Sequence, residues 1–301
     1  MVEAGSTPAT AFERRRILVE DHLLRFIDVS VCRIPERLRE AMEYSLSAGG
    51  KRIRPVVLLS AGSAVGGDEG DLLPFACAIE YIHTYSLIHD DLPAMDDDDF
   101  RRGKPSSHKE FGEATAILAG DALLTEAFRV AGESPMASKN PGRALAAVAV
   151  LARAAGAEGM VGGQQLDLQA EGKPADLSGK EEIDLRKTSA LISAAARMGG
   201  ILGGGNEAQV ECLARYGRAL GLLFQVTDDI LDETGSFEEM GKSVAKDRAR
   251  GKPAYPASFG MKAALARAEA LNAEAMTALS SFGEEGDALR DIVLLVTARR
   301  S

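Results

Sequence analysis

The chain has 301 residues, 46% of them hydrophobic and 27% charged, with a formal net charge of −10. This is globular composition with enough apolar mass for a large core, and the acidic balance excludes a nucleic-acid binder that relies on a basic surface. Cys32, Cys77 and Cys212 lie far apart without zinc or disulfide spacing, which predicts reduced thiols and a soluble, cytoplasmic protein.

In chain order, apolar residues recurring at three- and four-residue spacing predict helices over 12–30, 56–65, 71–90 and 112–131. Charges run through the first thirty residues, so no secretory leader or membrane span is expected there. Pro141 opens an alanine-rich helical stretch that continues to Gly172. Another helix covers 180–202, and "GGGNEAQ" ends it, with Asn206 as the cap of a helix running to about Glu233. Helices over 260–281 and 286–298 complete the chain. Loops fall at 66–70, 92–107, 132–141, 170–179 and 234–256. The last is polar, carries Lys242, Lys246 and Lys252, and is too long for a mere connector. With strand patterns scarce and no repeat or linker, residues 1–301 read as one all-α domain of ten or more helices.

Two acidic clusters stand out. "SLIHDDLPAMDDDDFRRGKPSSH" ends an apolar helix in six aspartates between Asp90 and Asp99, then Arg101 and Arg102. "QVTDDILDE" places Asp228 and Asp232 four apart, one turn along a single helical face, with Asp229 beside them and apolar residues around them. Such carboxylates repel one another and are expensive to bury unless a cation lies between them. All-oxygen ligands favour a hard ion, and Mg²⁺ combines a few carboxylates with substrate phosphates. Asp90 and Asp96 would diverge on an unbroken helix, but Pro93 cannot continue the ladder, and a loosened turn can return Asp96 to Asp90. A solvated acidic loop is the alternative for the first cluster taken alone.

"DDLPAMD" with "RRGKP", and the later "DDILD", resemble the two aspartate-rich motifs of the trans-polyprenyl diphosphate synthases. The resemblance extends through "GGKRIRP", "IEYIHTYSLIHDD", "AILAGDALLTEAF", "GMVGGQQLDL", "RKTSALI" and "GKPAYP", in the family's order over roughly residues 40–260, and within the family it is nearest to bacterial farnesyl diphosphate synthases. It implies the isoprenoid synthase fold, with helices around a central substrate cavity, and a homodimer. Asp90, Asp96 and Asp228 are the implied metal ligands, for three Mg²⁺ ions bound with the substrate diphosphate. Lys51, Arg54, His83 and Arg102 are the implied ligands of isopentenyl diphosphate, where positive donors must replace water around a diphosphate without its own metal.

Arg101, Lys187, Lys242 and Lys252 are implied to hold the allylic diphosphate, the two loop lysines on a closing flap. Thr188 and Gln225 are implied to place dipoles beside the reacting carbon, so that Arg101, Lys187, Thr188 and Gln225 carry the catalysis. The implied reaction is Mg²⁺-assisted ionisation of the allylic substrate, attack by the double bond of isopentenyl diphosphate, and proton loss. The scarcity of polar residues over 71–88 suits an apolar pocket for the tail, and Tyr85 and Ser86, five and four residues before Asp90, are the implied floor. Tyr85 is the bulky one, which predicts farnesyl diphosphate made from dimethylallyl or geranyl primers; a geranylgeranyl synthase or a non-catalytic subunit of a heteromeric synthase are the alternatives. Thr227 and Ser189 depart from the family pattern without removing a metal ligand or a phosphate cation. A terpene cyclase would not need Lys51, Arg54 and Arg102, and the acidic loop lacks the spacing of a calcium-binding EF-hand.

Overall fold

Asp68 begins the central helix: its carboxylate accepts the backbone N–H of Gly70 at 3.0 Å and of Asp71 at 3.3 Å. The helix that follows, α4 (Glu69–Asp90), is apolar around its whole circumference, and Leu72, Phe75, Ile79, Tyr81 and Ile82 are fully buried. A helix of that kind needs neighbours on every side. In this computed structural model, which describes residues 8–28, 33–172, 176–234 and 255–298, α4 lies between α3 (Ile53–Ser63) and α6 (Glu113–Gly132). The packing continues outward from α3 to α11 (Ala190–Gly203), then α12 (Glu207–Thr234), then α14 (Met261–Ala278). The architecture is the expected all-α bundle of ten or more helices.

α1 (Pro8–Leu23) and α15 (Asp287–Ala298) pack together and against α3. The cap expected at Asn206 is reciprocal: its Oδ1 accepts from the Gln209 N–H at 2.9 Å, and Gln209 Oε1 accepts from the Asn206 N–H at 3.0 Å. The helix expected from Pro141 to Gly172 is two helices, α8 (Pro141–Ala155) and α9 (Met160–Ala170). The stretch 141–170 is long and apolar enough by composition to cross a bilayer, with a mean hydropathy of 1.5. It is nonetheless interrupted at 156–159, and Ala144, Ala147 and Leu151 of α8 are buried in a helix that packs on α11.

Four helices were not anticipated: α2 (Glu36–Leu46), α5 (Ser107–Phe111), α7 (Pro135–Lys139) and α13 (Tyr255–Phe259). The expected helix over 180–202 begins as α10 (Leu177–Asp184), passes through a π-helical turn at Leu185–Ser189, and resumes as α11. The described residues contain one strand pair, with Phe100 opposite Pro105 and Arg101 opposite Lys104. Arg102 (φ 53°) and Gly103 (φ 78°) make its turn left-handed, as a two-residue hairpin requires.

Candidate active site

A cavity of about 590 Å³ opens where α4 ends. Arg54 of α3, His83, Tyr85, Ser86 and Asp90 on the last turns of α4, Ile117 of α6, Met160 and Leu168 of α9, and Lys187 and Thr188 of the π turn contribute to its wall. Most of 71–82 faces the protein core instead, so the apolar lining comes from α6 and α9 as much as from α4.

The acidic end is shaped by the break at Pro93. The Asp96 N–H returns to the Asp90 carbonyl at 2.7 Å, and the Asp98 N–H to the Asp91 carbonyl at 3.2 Å, so the chain folds back over the helix end. Burial pushes the Asp90 carboxyl up to about 6; Lys187 opposes the shift, and Asp96 and Asp91 add to it. Burial also raises Asp91, against the pull of Arg101, whose Nε donates to Asp91 Oδ1 at 3.0 Å. Asp98 lies 3.6 Å from the same guanidinium. The loop further brings Asp97, Asp99 and His108 together, one ligand atom from each within 4.8 Å of the others. His108 is buried, and its Nε2 has no hydrogen-bond partner. All three could hold a divalent ion, and they were not singled out in the sequence.

The second acidic motif divides its labour. Asp228 is partly exposed, 3.9 Å from Lys51 Nζ. Asp229 is buried and committed to the fold: it accepts from Gln225 Nε2 at 2.9 Å and from the Tyr255 N–H at 2.9 Å, and Lys180 Nζ lies 3.1 Å away. Lys180 also donates to Asp184 at 2.6 Å.

At the cationic end, burial lowers Arg54 to about 10, and its Nε has no hydrogen-bond partner. An orphaned guanidinium N–H at a cavity wall is what an absent anionic ligand would satisfy. Burial, then Arg54 and Arg102, holds His83 well below its ordinary pKa, so the imidazole is neutral. Arg102 donates to the Gly49 carbonyl; Gly50 has a φ of 130°, and a Cβ there would lie 2.4 Å from the Arg102 guanidinium, so a larger residue would be strained and would displace this arginine. Lys51 lies over the Phe224 ring, 5.3 Å from its centroid. The buried Arg52 and Glu80, paired at 2.7 Å, tie this segment to α4 and passed unnoticed in the sequence.

Between the two ends, Lys187 Nζ donates to Asp167 Oδ2 at 2.5 Å, and Thr188 Oγ1 donates to Gln225 Oε1 at 3.2 Å. Asp167 and Gln164 belong to a motif noted in the sequence but were given no role. Both polar atoms of the Gln164 side chain are buried without partners, and Gln164 lines the cavity. Tyr85, 6% exposed, and Ser86 line it too; Tyr85 meets His89 edge-on at 5.7 Å, and Ser86 Oγ donates to the His83 carbonyl at 2.9 Å. Ser189 donates to the Arg218 carbonyl at 2.8 Å, and Thr227 is buried with an unpartnered Oγ1. Lys242 and Lys252 lie outside the described residues.

Comparison with known proteins gives a family and several relatives. The family model described as polyprenyl synthetase matches residues 35–291. The large subunit 1 of a chloroplastic heterodimeric geranylgeranyl pyrophosphate synthase from Arabidopsis thaliana is 49% identical over 257 residues, covering 84% of this chain and 69% of that protein. A chloroplastic geranylfarnesyl diphosphate synthase from Leucosceptrum canum is 48% identical over 83% of this chain and 69% of its own length. Among solved structures, an FPP/GFPP synthase from Zymomonas mobilis superposes with a TM-score of 0.84 at 36% identity, covering 96% of this chain and 98% of that one.

These relatives correct the cytoplasmic expectation, since the curated ones are chloroplastic proteins. Spaced free thiols report a reducing environment without saying which compartment supplies it. The expected special nearness to bacterial farnesyl synthases is also too narrow, because plant geranylgeranyl synthases match at 49% identity.

Proposed function

The chain belongs to the polyprenyl synthetase family, and from that premise we propose that it condenses isopentenyl diphosphate head-to-tail with allylic diphosphates. One observation carries the reading: a single cavity has a crowded carboxylate group at one end of its mouth, an unsatisfied arginine at the other, and an apolar interior. Two diphosphates, one handled through metal and one through guanidinium groups, fit that division.

The donor set suits Mg²⁺, because Asp90, Asp96 and Asp228 offer only oxygen, and Asp90 and Asp96 already repel each other. Held there, Mg²⁺ would neutralise the charge developing on the departing allylic diphosphate. Asp97, Asp99 and His108 form a further donor group in the same loop. Arg54, His83, Arg102 and Lys51 hold isopentenyl diphosphate. Lys187, kept in place by Asp167, and Arg101, kept by Asp91, face the allylic diphosphate, with Lys242 and Lys252 as further cations.

As the allylic carbon–oxygen bond breaks, Thr188 and Gln225 present oxygen dipoles to the cation without attacking it. The terminal carbon of the isopentenyl double bond then forms the new carbon–carbon bond, which leaves a tertiary cation, and the CH2 next to that cation loses a proton to the released diphosphate to form the new double bond. The apolar lining keeps water from the cation. The homodimer implied by the resemblance is part of this proposal, and light scattering on the purified chain measures it.

For the product we place the twenty-carbon chain first, because relatives at 49% identity carry the name geranylgeranyl synthase. Tyr85, bulky and set in the cavity wall, favours the fifteen-carbon product, farnesyl diphosphate. Chromatography of the dephosphorylated products separates the two. Tyr85→Ala should lengthen the product by at least one isoprene unit, and an unchanged distribution removes Tyr85 from length control.

Arg54→Ala should raise the Michaelis constant for isopentenyl diphosphate by about 10- to 100-fold, the worth of a charge-assisted contact, and leave that of the allylic substrate unchanged. A selective effect on the allylic substrate would reverse the two sites.

A further inference from the structure

Behind the π turn, facing away from the condensation cavity, lies a second cavity of about 600 Å³ between α8, α11 and the middle of α12. Ala149, Val150, Ala154, Leu185 and Ala194 contribute its apolar wall. Four arginines line it as well. Arg153 lies 3.9 Å from Glu158, and Arg186 is paired with Glu182 at 2.5 Å. The guanidinium groups of the other two, Arg197 and Arg218, have no carboxylate or hydrogen-bond partner among the described residues. Two uncommitted guanidinium groups beside the apolar part of this wall suit a doubly charged head with a hydrocarbon chain, since the planar fork matches phosphate oxygens.

We propose that this cavity is a second ligand site, for a phosphate ester carrying a short apolar chain, and that its occupancy alters turnover through the π turn. Leu185, Arg186 and Ser189 face this cavity, while Lys187 and Thr188 face the condensation cavity. The turn has no slack. A Cβ on Gly163 of α9 would lie 2.3 Å from the Lys187 backbone nitrogen, and one on Gly221 of α12 would lie 2.5 Å from the Ser189 Cα. π-helical turns are rare and recur at functional sites. A ligand that displaces Arg186 or Ser189 therefore shifts the Lys187–Asp167 and Thr188–Gln225 contacts.

Calorimetric titration with farnesyl phosphate in the presence of EDTA tests the site. The intact chain should bind two equivalents, one at each cavity. Arg197→Ala with Arg218→Ala should weaken one of them by about tenfold per arginine removed, while Arg101→Ala weakens the other. Ala149→Trp, which fills the cavity without changing charge, should abolish the same equivalent as the arginine pair. In turnover assays at saturating allylic substrate, farnesyl phosphate should partly inhibit the intact chain. The arginine-pair variant should keep its basal rate and lose that inhibition. A single equivalent in the intact chain, or two equivalents of unchanged affinity in both second-site variants, would overturn the proposal. The binding measurement does not depend on the proposed condensation: a chain that binds two equivalents yet forms no prenyl product refutes the condensation and leaves the second site standing.

Discussion

Asp90→Asn is expected to abolish turnover while making the protein more stable. The Asp90 carboxyl is raised from an ordinary 3.8 to about 6 because burial and neighbouring carboxylates oppose its ionisation. The sign follows from proton linkage. A carboxyl whose folded pKa exceeds its unfolded one binds its proton more tightly when folded. Its contribution to stability is fully present below about 4 and is lost as pH rises through about 6. At neutral pH the charge is therefore a burden on the fold, worth up to roughly 2–3 kcal/mol, and asparagine removes it.

The same substitution removes a ligand from the proposed metal site, with an expected loss on the order of 10²–10³-fold or more in kcat. Thermal unfolding without Mg²⁺, beside a steady-state assay, reads both effects. A carboxylate serving the fold would give the opposite stability result. In the unaltered enzyme at subsaturating Mg²⁺, activity should fall as pH drops through about 6, because proton and metal compete for the same oxygens. Raising Mg²⁺ should move that acid limb to lower pH.

The second large effect is structural. Glu80 lies within the apolar length of α4, and its side chain and that of Arg52 are each 2% exposed. Arg52 Nη1 donates to Glu80 at 2.7 Å, Nη2 donates to the Leu46 carbonyl at 2.6 Å, and the residue adopts a left-handed φ of 50°. Glu80 also supports the charged forms of Arg54 and Arg102, so one carboxylate offsets a group of arginines. Glu80→Ala leaves the buried Arg52 with only the longer carboxylate contact to Glu20 at 3.6 Å and should cost about 3–5 kcal/mol in denaturant unfolding. Inorganic diphosphate should recover part of that loss, because it restores negative charge beside the same arginines. A loss below about 1 kcal/mol, the range of exposed ion pairs, would show that water reaches the pair.

The acidic ends of α4 and α12 were legible in the sequence because charge interrupting an apolar pattern is conspicuous, and the proline marks where the first helix opens. Partners were harder to see. Lys187 and Asp167 are 20 residues apart, and Arg52 and Glu80 are 28 apart. Neither member of such a pair announces the other before the helices pack. Asp229 resembles Asp228 in sequence, yet its buried position gives it to Lys180, Gln225 and Tyr255.

Periodicity misled in both directions. The alanine-rich pattern runs on through 156–159, where Gly156 and Gly159 were the available warning, so two helices read as one. In α2, charged residues at 36, 37, 39, 40 and 43 obscured the apolar face formed by Ala41, Met42 and Leu46. The π turn adds residues without changing composition, so no apolar pattern reveals it, although it sets which of Arg186, Lys187 and Thr188 face which cavity.

The most direct test is incubation of the purified chain with labelled isopentenyl diphosphate, Mg²⁺ and, separately, dimethylallyl, geranyl and farnesyl diphosphates, with chromatography of the dephosphorylated products. The account predicts Mg²⁺-dependent chains longer than the primer in steps of five carbons, absent from the Asp90→Asn variant. Label that stays in isopentenyl diphosphate with every primer, or an Asp90→Asn variant as active as the unaltered protein, would contradict it.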